Sequence, residues 1–419
     1  MRTTSFQEET FTKNVDAWVL NAITDGIGSF PELLQSLPGV YPTDLVSSLR
    51  RLKTGSQVPN EILRQAFAKS EEDDLRGATK ESRSRLPVPH PLDFDWRFSR
   101  STSDSLLDRA CSLSSRHGLI GLMGAPTLLA RANARGLHQR MWLIDSSNAM
   151  TRHCAENFPT VPIFPCNIMM DQLPRTKAAV IIADPPWYRE HIQTFLWAAA
   201  MLSNRHAHII VTLPPLGTRP GLDREREFIF RWIGKLGLKV VSLEERGAEY
   251  LSPPFERNAL AACGLSNLPT TWRHGAVLHL AAPSLRRVPR PNTLEEKPWA
   301  EEVLQGVRFR IRHGQNGKFQ SPFLRSIVSG DILPTVSRRD PRRRLVDVWT
   351  SGNRVYKCSG SGILVQVLRA MATGVKPEGA VTEYVGRSLT HRELKLIGMA
   401  TSQVSGIIQL EAADHRKVR

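Results

Sequence analysis

The chain has 419 residues, 41% of them hydrophobic, and carries 56 Lys and Arg against 40 Asp and Glu, a formal charge of +16. The length predicts two or three folded units, and the charge points to a polyanionic partner, nucleic acid first among them. Five cysteines (Cys111, Cys154, Cys166, Cys263 and Cys358) stand far apart without Cys-x-x-Cys spacing, which excludes a zinc ribbon or a disulfide framework and points to a reducing compartment. Met1–Lys13 is polar with charges of both signs, unlike a signal peptide. No apolar run reaches membrane-spanning length. The expectation is a soluble, cytoplasmic protein with no metal site.

In chain order, residues 1–68 read as a small helical domain. Val15, Trp18, Val19, Ala22 and Ile23 recur at helical spacing,. Gly26 and Gly28 break that helix, and Ser29 caps a second one that carries Leu33, Leu34 and Leu37. After Pro38-Gly39, Thr43 is the expected cap of a third helix with Leu45, Val46, Leu49 and Leu52 inward. Three short helices with tight turns fit a helix-turn-helix or winged-helix unit, with Arg50, Arg51 and Lys53 placed for phosphate contact. A plain helical bundle fits equally. Residues 69–96, charged first and then rich in proline, read as a linker.

Residues 97–283 alternate between amphipathic helices and buried strands, which predicts a Rossmann-like, doubly wound α/β core. Strands are expected at 119–123, 141–144, 161–164, 178–183, 209–213, 240–243 and 276–280. The clearest is Ala178–Ala183, whose continuous apolar run suits a parallel strand covered on both faces,. Residues 284–419 form a basic α+β extension. Arg286, Arg287 and Arg290 lead in, and Arg308, Arg310 and Arg312 alternate with Phe309 and Ile311. A hairpin is predicted around Ser351-Gly352-Asn353, with helices at 363–372 and 391–411. Arg338, Arg339, Arg342, Arg343 and Arg344 are the densest cationic cluster and the expected phosphate-binding residues.

Asp184-Pro185-Pro186-Trp187 directly follows the best strand, where ligands of open α/β sheets gather. On these residues the core resembles the S-adenosylmethionine (SAM)-dependent amino-methyltransferases of the N6-adenine and N4-cytosine type. The resemblance implies SAM as cofactor and an exocyclic amino group of DNA or RNA as target. It also implies that Asp184 and the Pro185 carbonyl accept the two N–H bonds of that group while Trp187 stacks on a flipped base. In that frame Gly121 and Gly124 belong to the cofactor loop after the first strand, Asp145 binds the ribose hydroxyls and Asn167 lies near the adenine. The usual acidic residue and Gly-x-Gly core of that loop are absent.

Asp93-Phe94-Asp95-Trp96 is expected near the methionine end of the cofactor. A second, weaker echo, Ser252-Pro253-Pro254-Phe255, is expected in a loop between the last strands, together with Glu256, Arg257 and Asn258. The chain order of glycine loop, Asp184 motif and basic extension matches enzymes whose recognition region follows the core. Three other readings share these residues: a protein-amide methyltransferase, an aminopropyltransferase making branched polyamines, and a catalytically silent core that binds nucleic acid.

Overall fold

The structure, a computed structural model, describes residues 2–55, 58–68, 86–292, 299–313 and 318–416. The chain forms two compact units, one made of Met1–Leu86, Trp96–Ser252 and Leu265–Leu294, the other of Pro87–Asp95, Pro253–Gly264 and Glu295–Arg419. The helical segment 1–68 thus lies in one unit with most of the core. Of the expected linker, residues 69–85 fall outside the described residues, and Pro87–Asp95 is folded into the second unit.

The first unit begins with four helices, α1 (Arg2–Thr24), α2 (Phe30–Ser36), α3 (Pro42–Thr54) and α4 (Asn60–Gln65). Ser29 caps α2 by accepting the Glu32 N–H. Thr43 does not cap α3. Pro42 opens that helix and Tyr41 is its cap, because proline is preorganised for the first helical position. Leu45, Val46, Leu49 and Leu52 are buried as expected. Of the cations on this helix, Arg51 pairs with Asp16 of α1 at 2.7 Å and Arg50 lies over the Phe67 ring. The turn between α2 and α3 is fastened to the core by Gly217, whose N–H donates to the Pro38 carbonyl at 2.7 Å, and by Arg246, which donates to the carbonyls of Gln35 and Ser36.

The core sheet has eight strands: β1 (Arg97–Phe98), β2 (Ile120–Met123), β3 (Met141–Asp145), β4 (Ile163–Pro165), β5 (Ala178–Ala183), β6 (Ser203–Leu213), β7 (Lys239–Leu251) and β8 (Arg273–Ala281). Their order is β1-β7-β8-β6-β5-β2-β3-β4. Strands β4, β3, β2, β5 and β6 run parallel, and β8 is antiparallel to both β6 and β7. Taking β2 as the first strand of the motif, the parallel part reads 3-2-1-4-5, the order of Rossmann-type sheets.

Period-two alternation divides the strand residues between two cores. Met123, Trp142, Ile144, Ile181, Ala183, Ile209, Val211 and Leu278 face one side, packed with α8 (Arg189–Leu202) and α9 (Leu222–Lys235). Ile120, Leu122, Leu143, Val180, Ile182, Ile210 and Val277 face the other, packed with α5 (Arg100–Leu113), α6 (Pro126–Ala134) and α7 (Asn148–Asn157).

Gly121 belongs to this packing. It sits inside β2, and a Cβ there would stand 2.2 Å from the Trp142 ring on β3. Its expected place in the cofactor loop is therefore corrected: the missing side chain makes room for an indole in the core. Gly121→Ala is expected to destabilise the protein by about 2 kcal/mol through overpacking, read as a lowered denaturant midpoint with an unchanged slope.

The second unit holds an antiparallel sheet of β9 (Trp299–Leu304), β10 (Val307–Arg312), β11 (Arg325–Ser326), β12 (Val348–Thr350) and β13 (Val355–Lys357), in the order β11-β13-β12-β10-β9. It also holds α10 (Pro254–Ala261), α11 (Ser361–Thr373), α12 (Pro377–Val385) and α13 (His391–Arg416). The predicted hairpin is present, with Asn353 at φ 68° in its turn. Arg308, one of the basic residues that alternate with Phe309 and Ile311, is fully buried and donates to Asp93 and Glu301, while Arg310 also pairs with Asp93. Burial alone would raise the Asp93 carboxyl, but Arg310 and Arg308 outweigh it and hold the group at about 2. Asp93 thus serves this ion cluster. His90 is buried beside the cluster. Its Nδ1 accepts the Leu92 N–H, so its Nε2 is the donor to the Trp349 carbonyl. Burial, followed by the charge of Arg308, keeps this imidazole neutral.

Candidate active site

Asp184 stands at the carboxyl end of β5, and its backbone N–H donates to the Met123 carbonyl at 2.9 Å, at the end of β2. Two hydroxyls converge on its Oδ1, that of Thr212 on β6 and that of Tyr250 on β7, the latter at 2.8 Å. Thr212 and Tyr250 are both buried. Burial first, and then the charge of Asp184, push the Tyr250 phenol well above the usual tyrosine range, so it acts as a fixed donor. The turn after Asp184 is closed by Tyr188, whose N–H donates to the Pro186 carbonyl at 2.7 Å. Tyr188 then caps α8.

Trp187 meets Tyr250 edge to face, with centroids 5.5 Å apart. This close seat depends on Gly275 of β8, where a Cβ would stand 2.9 Å from the indole and 3.1 Å from the phenol ring. Two residues earlier on the same strand, the Arg273 guanidinium lies over four rings: Trp272 at 4.8 Å, Trp96 at 4.9 Å, Trp187 at 5.5 Å and Tyr41 at 5.9 Å. Cation–π attraction holds these groups together. The N-terminal helical segment thereby contributes Tyr41 to the surroundings of the motif.

On the cofactor side, Gly124 ends β2 at φ +64°, donates to the Ile144 carbonyl at 2.9 Å, and would bring a Cβ within 3.0 Å of the Asp184 carbonyl. Only glycine takes that conformation without strain. Asp145 ends β3, its Oδ1 accepting the Ser147 N–H at 2.8 Å. Asn167 follows β4 and shapes its own turn, its Oδ1 accepting the Met169 N–H at 3.0 Å. Arg290 stacks on Trp197 and donates to the carbonyls of Met170 and Asp171, latching that loop. A glycine turn flanked by a carboxylate and an amide on successive strand ends suits the nucleoside half of SAM.

Other expected residues fall elsewhere. Ser252-Pro253-Pro254-Phe255 lies between β7 and β8, as expected, and leads into a helix there. Pro253 caps α10 in the second unit, Phe255 and Glu256 are buried, and Asn258 donates to the Gly352 carbonyl at 2.9 Å. The arginine cluster also lies in the second unit, where Pro341–Leu345 forms a short 3-10 turn. Arg342 binds Asp340, and Arg343 lies 4.4 Å over the Trp349 ring, while Arg339 and Arg344 are exposed. Thr212, Tyr250, Arg273 and Gly275 escaped sequence reasoning. The Trp272-Arg273-His274-Gly275 run at the start of β8 was the local signal for the last two.

No protein-family model and no curated protein matches this chain. Among solved structures it is similar to the branched-chain polyamine synthase from Thermus thermophilus, bound to N4-aminopropylspermidine and 5'-methylthioadenosine. That match has a TM-score of 0.51 at 12% identity and covers 67% of this chain and 91% of that one. A mutein of the same enzyme gives a TM-score of 0.53 at 11% identity, covering 69% and 95%. The likeness is one of fold, and it agrees with the Rossmann-type strand order.

The hydrogen bond from Tyr250 to a carboxylate makes a direct prediction. Tyr250→Phe should cost about 2 kcal/mol of stability near neutral pH. The native phenol stays protonated, whereas in the unfolded chain it ionises near pH 10. Stability from this group is therefore complete below about pH 10 and declines above it, so the gap between wild type and variant should narrow in alkaline unfolding curves.

Proposed function

We propose that this chain is a SAM-dependent methyltransferase acting on an exocyclic amino group of a base in DNA or RNA. The observation that carries this reading is the Asp184 carboxylate, fixed by Thr212 and Tyr250 beside Trp187. SAM, when bound, supplies an electrophilic methyl carbon. The chain's own residues prepare the nucleophile. Asp184 accepts one N–H of the amino group and the Pro185 carbonyl the other, which turns the nitrogen lone pair out of conjugation and toward the methyl carbon. The methyl group would leave the sulfur of that cofactor, with the C–S electrons remaining on sulfur, as the amino nitrogen held by Asp184 and Pro185 takes it. The nitrogen then sheds a proton, for which Asp184 is the nearest acceptor in this scheme. Trp187 offers a stacking face to the base, and Arg273 with Gly275 keeps that indole in place. Asp145 and Asn167 would hold the nucleoside. The net charge of +16 supports a polyanionic acceptor,.

A second reading, aminopropyl transfer to a polyamine, is favoured by the solved structures, whose bound ligands are an aminopropylated spermidine and a nucleoside thioether. The guanidinium of Arg273 over Trp187 weighs against it, since a polycation approaching the same ring meets like charge.

Protein incubated with methyl-labelled SAM and DNA, RNA or protein should place label in one nucleic acid. Asp184→Ala should slow that transfer on the order of a hundredfold while SAM affinity changes little. A parallel reaction with decarboxylated SAM and spermidine separates the two readings. Product there, with no label in nucleic acid, replaces the first by the second.

A further inference from the structure

Helix α9 buries Leu222, Ile229 and Ile233. On another face, positions 224, 228, 231 and 235 fall in one stripe, four, three and four residues apart. They are Arg224, Phe228, Arg231 and Lys235, all exposed, with Phe228 at 44%. The Phe228 ring carries two guanidinium groups, Arg231 at 4.3 Å and Arg189 at 5.3 Å. Arg189 is the first residue of α8 and stands two residues after Trp187. Beside it, Arg219 lies over the Tyr188 ring at 5.4 Å, and Lys235 lies over Trp232 at 5.4 Å.

Of the acids of α9, Glu227 borders the stripe, three residues after Arg224 and four before Arg231,. Glu225 pairs with Arg219, while Asp223 and Glu227 are exposed. An isolated exposed phenylalanine is ordinary. Here two guanidinium groups lie against the ring and two more cations stand in line with it, and the row reaches Arg189, two residues past Trp187.

Single-stranded nucleic acid alternates flat bases with phosphates, and it is bound by aromatic platforms set among cations. We propose that Arg224, Phe228, Arg231 and Lys235, with Arg189, form a track for the single-stranded nucleic acid that flanks the acceptor base. This rests on the reading of that acceptor as a base. Phe228 stacks a base, and the four cations contact phosphates on either side of it. In the expected arginine cluster, by contrast, Arg342 is held by the carboxylate of Asp340.

The test is fluorescence anisotropy of the full chain with labelled single-stranded DNA and RNA 20-mers across a salt series, with heparin as a polyanion that cannot stack. Phe228→Ala and Phe228→Leu should each weaken oligonucleotide binding about tenfold and leave heparin affinity unchanged. The leucine keeps apolar bulk, so agreement between the two variants assigns the effect to the aromatic face. The triple variant Arg224→Ala, Arg231→Ala, Lys235→Ala should lower the log–log salt slope by about 2.

No oligonucleotide binding by wild type overturns the track. So does unchanged affinity in both Phe228 variants, or a salt slope the triple variant does not move. The acceptor reading is judged separately by label transfer. Label in nucleic acid with no effect of the stripe variants defeats the track alone. Weakened binding in those variants, with aminopropylated spermidine formed from decarboxylated SAM and no label in nucleic acid, defeats the acceptor reading and leaves the stripe standing as a binding surface alone.

Discussion

A carboxylate at the end of a buried strand has to be compensated, and much of the candidate site follows from how Asp184 meets that demand. Its partners do not come from the neighbouring turn. They are hydroxyls on β6 and β7, two strands that are not adjacent because β8 is inserted between them. For the Tyr250 hydroxyl to reach Asp184, the strand between must be slim at that level, and Gly275 makes it so. The room left by Gly275 also seats Trp187, and Trp187 in turn lies in the aromatic surroundings of Arg273. One electrostatic requirement thus links three strands, the motif turn and a tyrosine of the N-terminal helices.

The core was legible where burial was complete. Ala178–Ala183 forms as read, because an unbroken apolar run of that length admits one solution,. Asp184, Gly124, Asp145 and Asn167 lie at strand ends or just past them, as their positions after apolar runs suggested. Gly121 was misread since a glycine inside a strand and a glycine in a turn look alike in sequence. Only the Trp142 ring across the sheet distinguishes them. Tyr250 and Thr212 were invisible for a different reason. Their role is set by strand order, and no local pattern shows that β7 lies within reach of β5.

Charge was the least legible property. Arg308 and Arg310 alternate with apolar residues on β10, which resembles a basic face turned to solvent. Their partner Asp93 is more than 200 residues away along the chain, and Glu301 stands on the neighbouring strand β9, so the cluster appears only once the strands are paired. Part of the chain's positive excess is therefore structural, spent inside the fold on carboxylates and ring faces, and the net charge overstates what a polyanion meets. The stripe on α9 differs because its cations flank an exposed ring.

The grouping around Arg273 has an optical consequence. Three of the nine tryptophans, Trp96, Trp187 and Trp272, ring one guanidinium. Indoles so close exchange excitation energy, and their emission responds to the charge at their centre. The protein therefore carries its own fluorophore array at the motif, and whatever moves Arg273 or covers Trp187 will be recorded in the ultraviolet emission of the unlabelled chain.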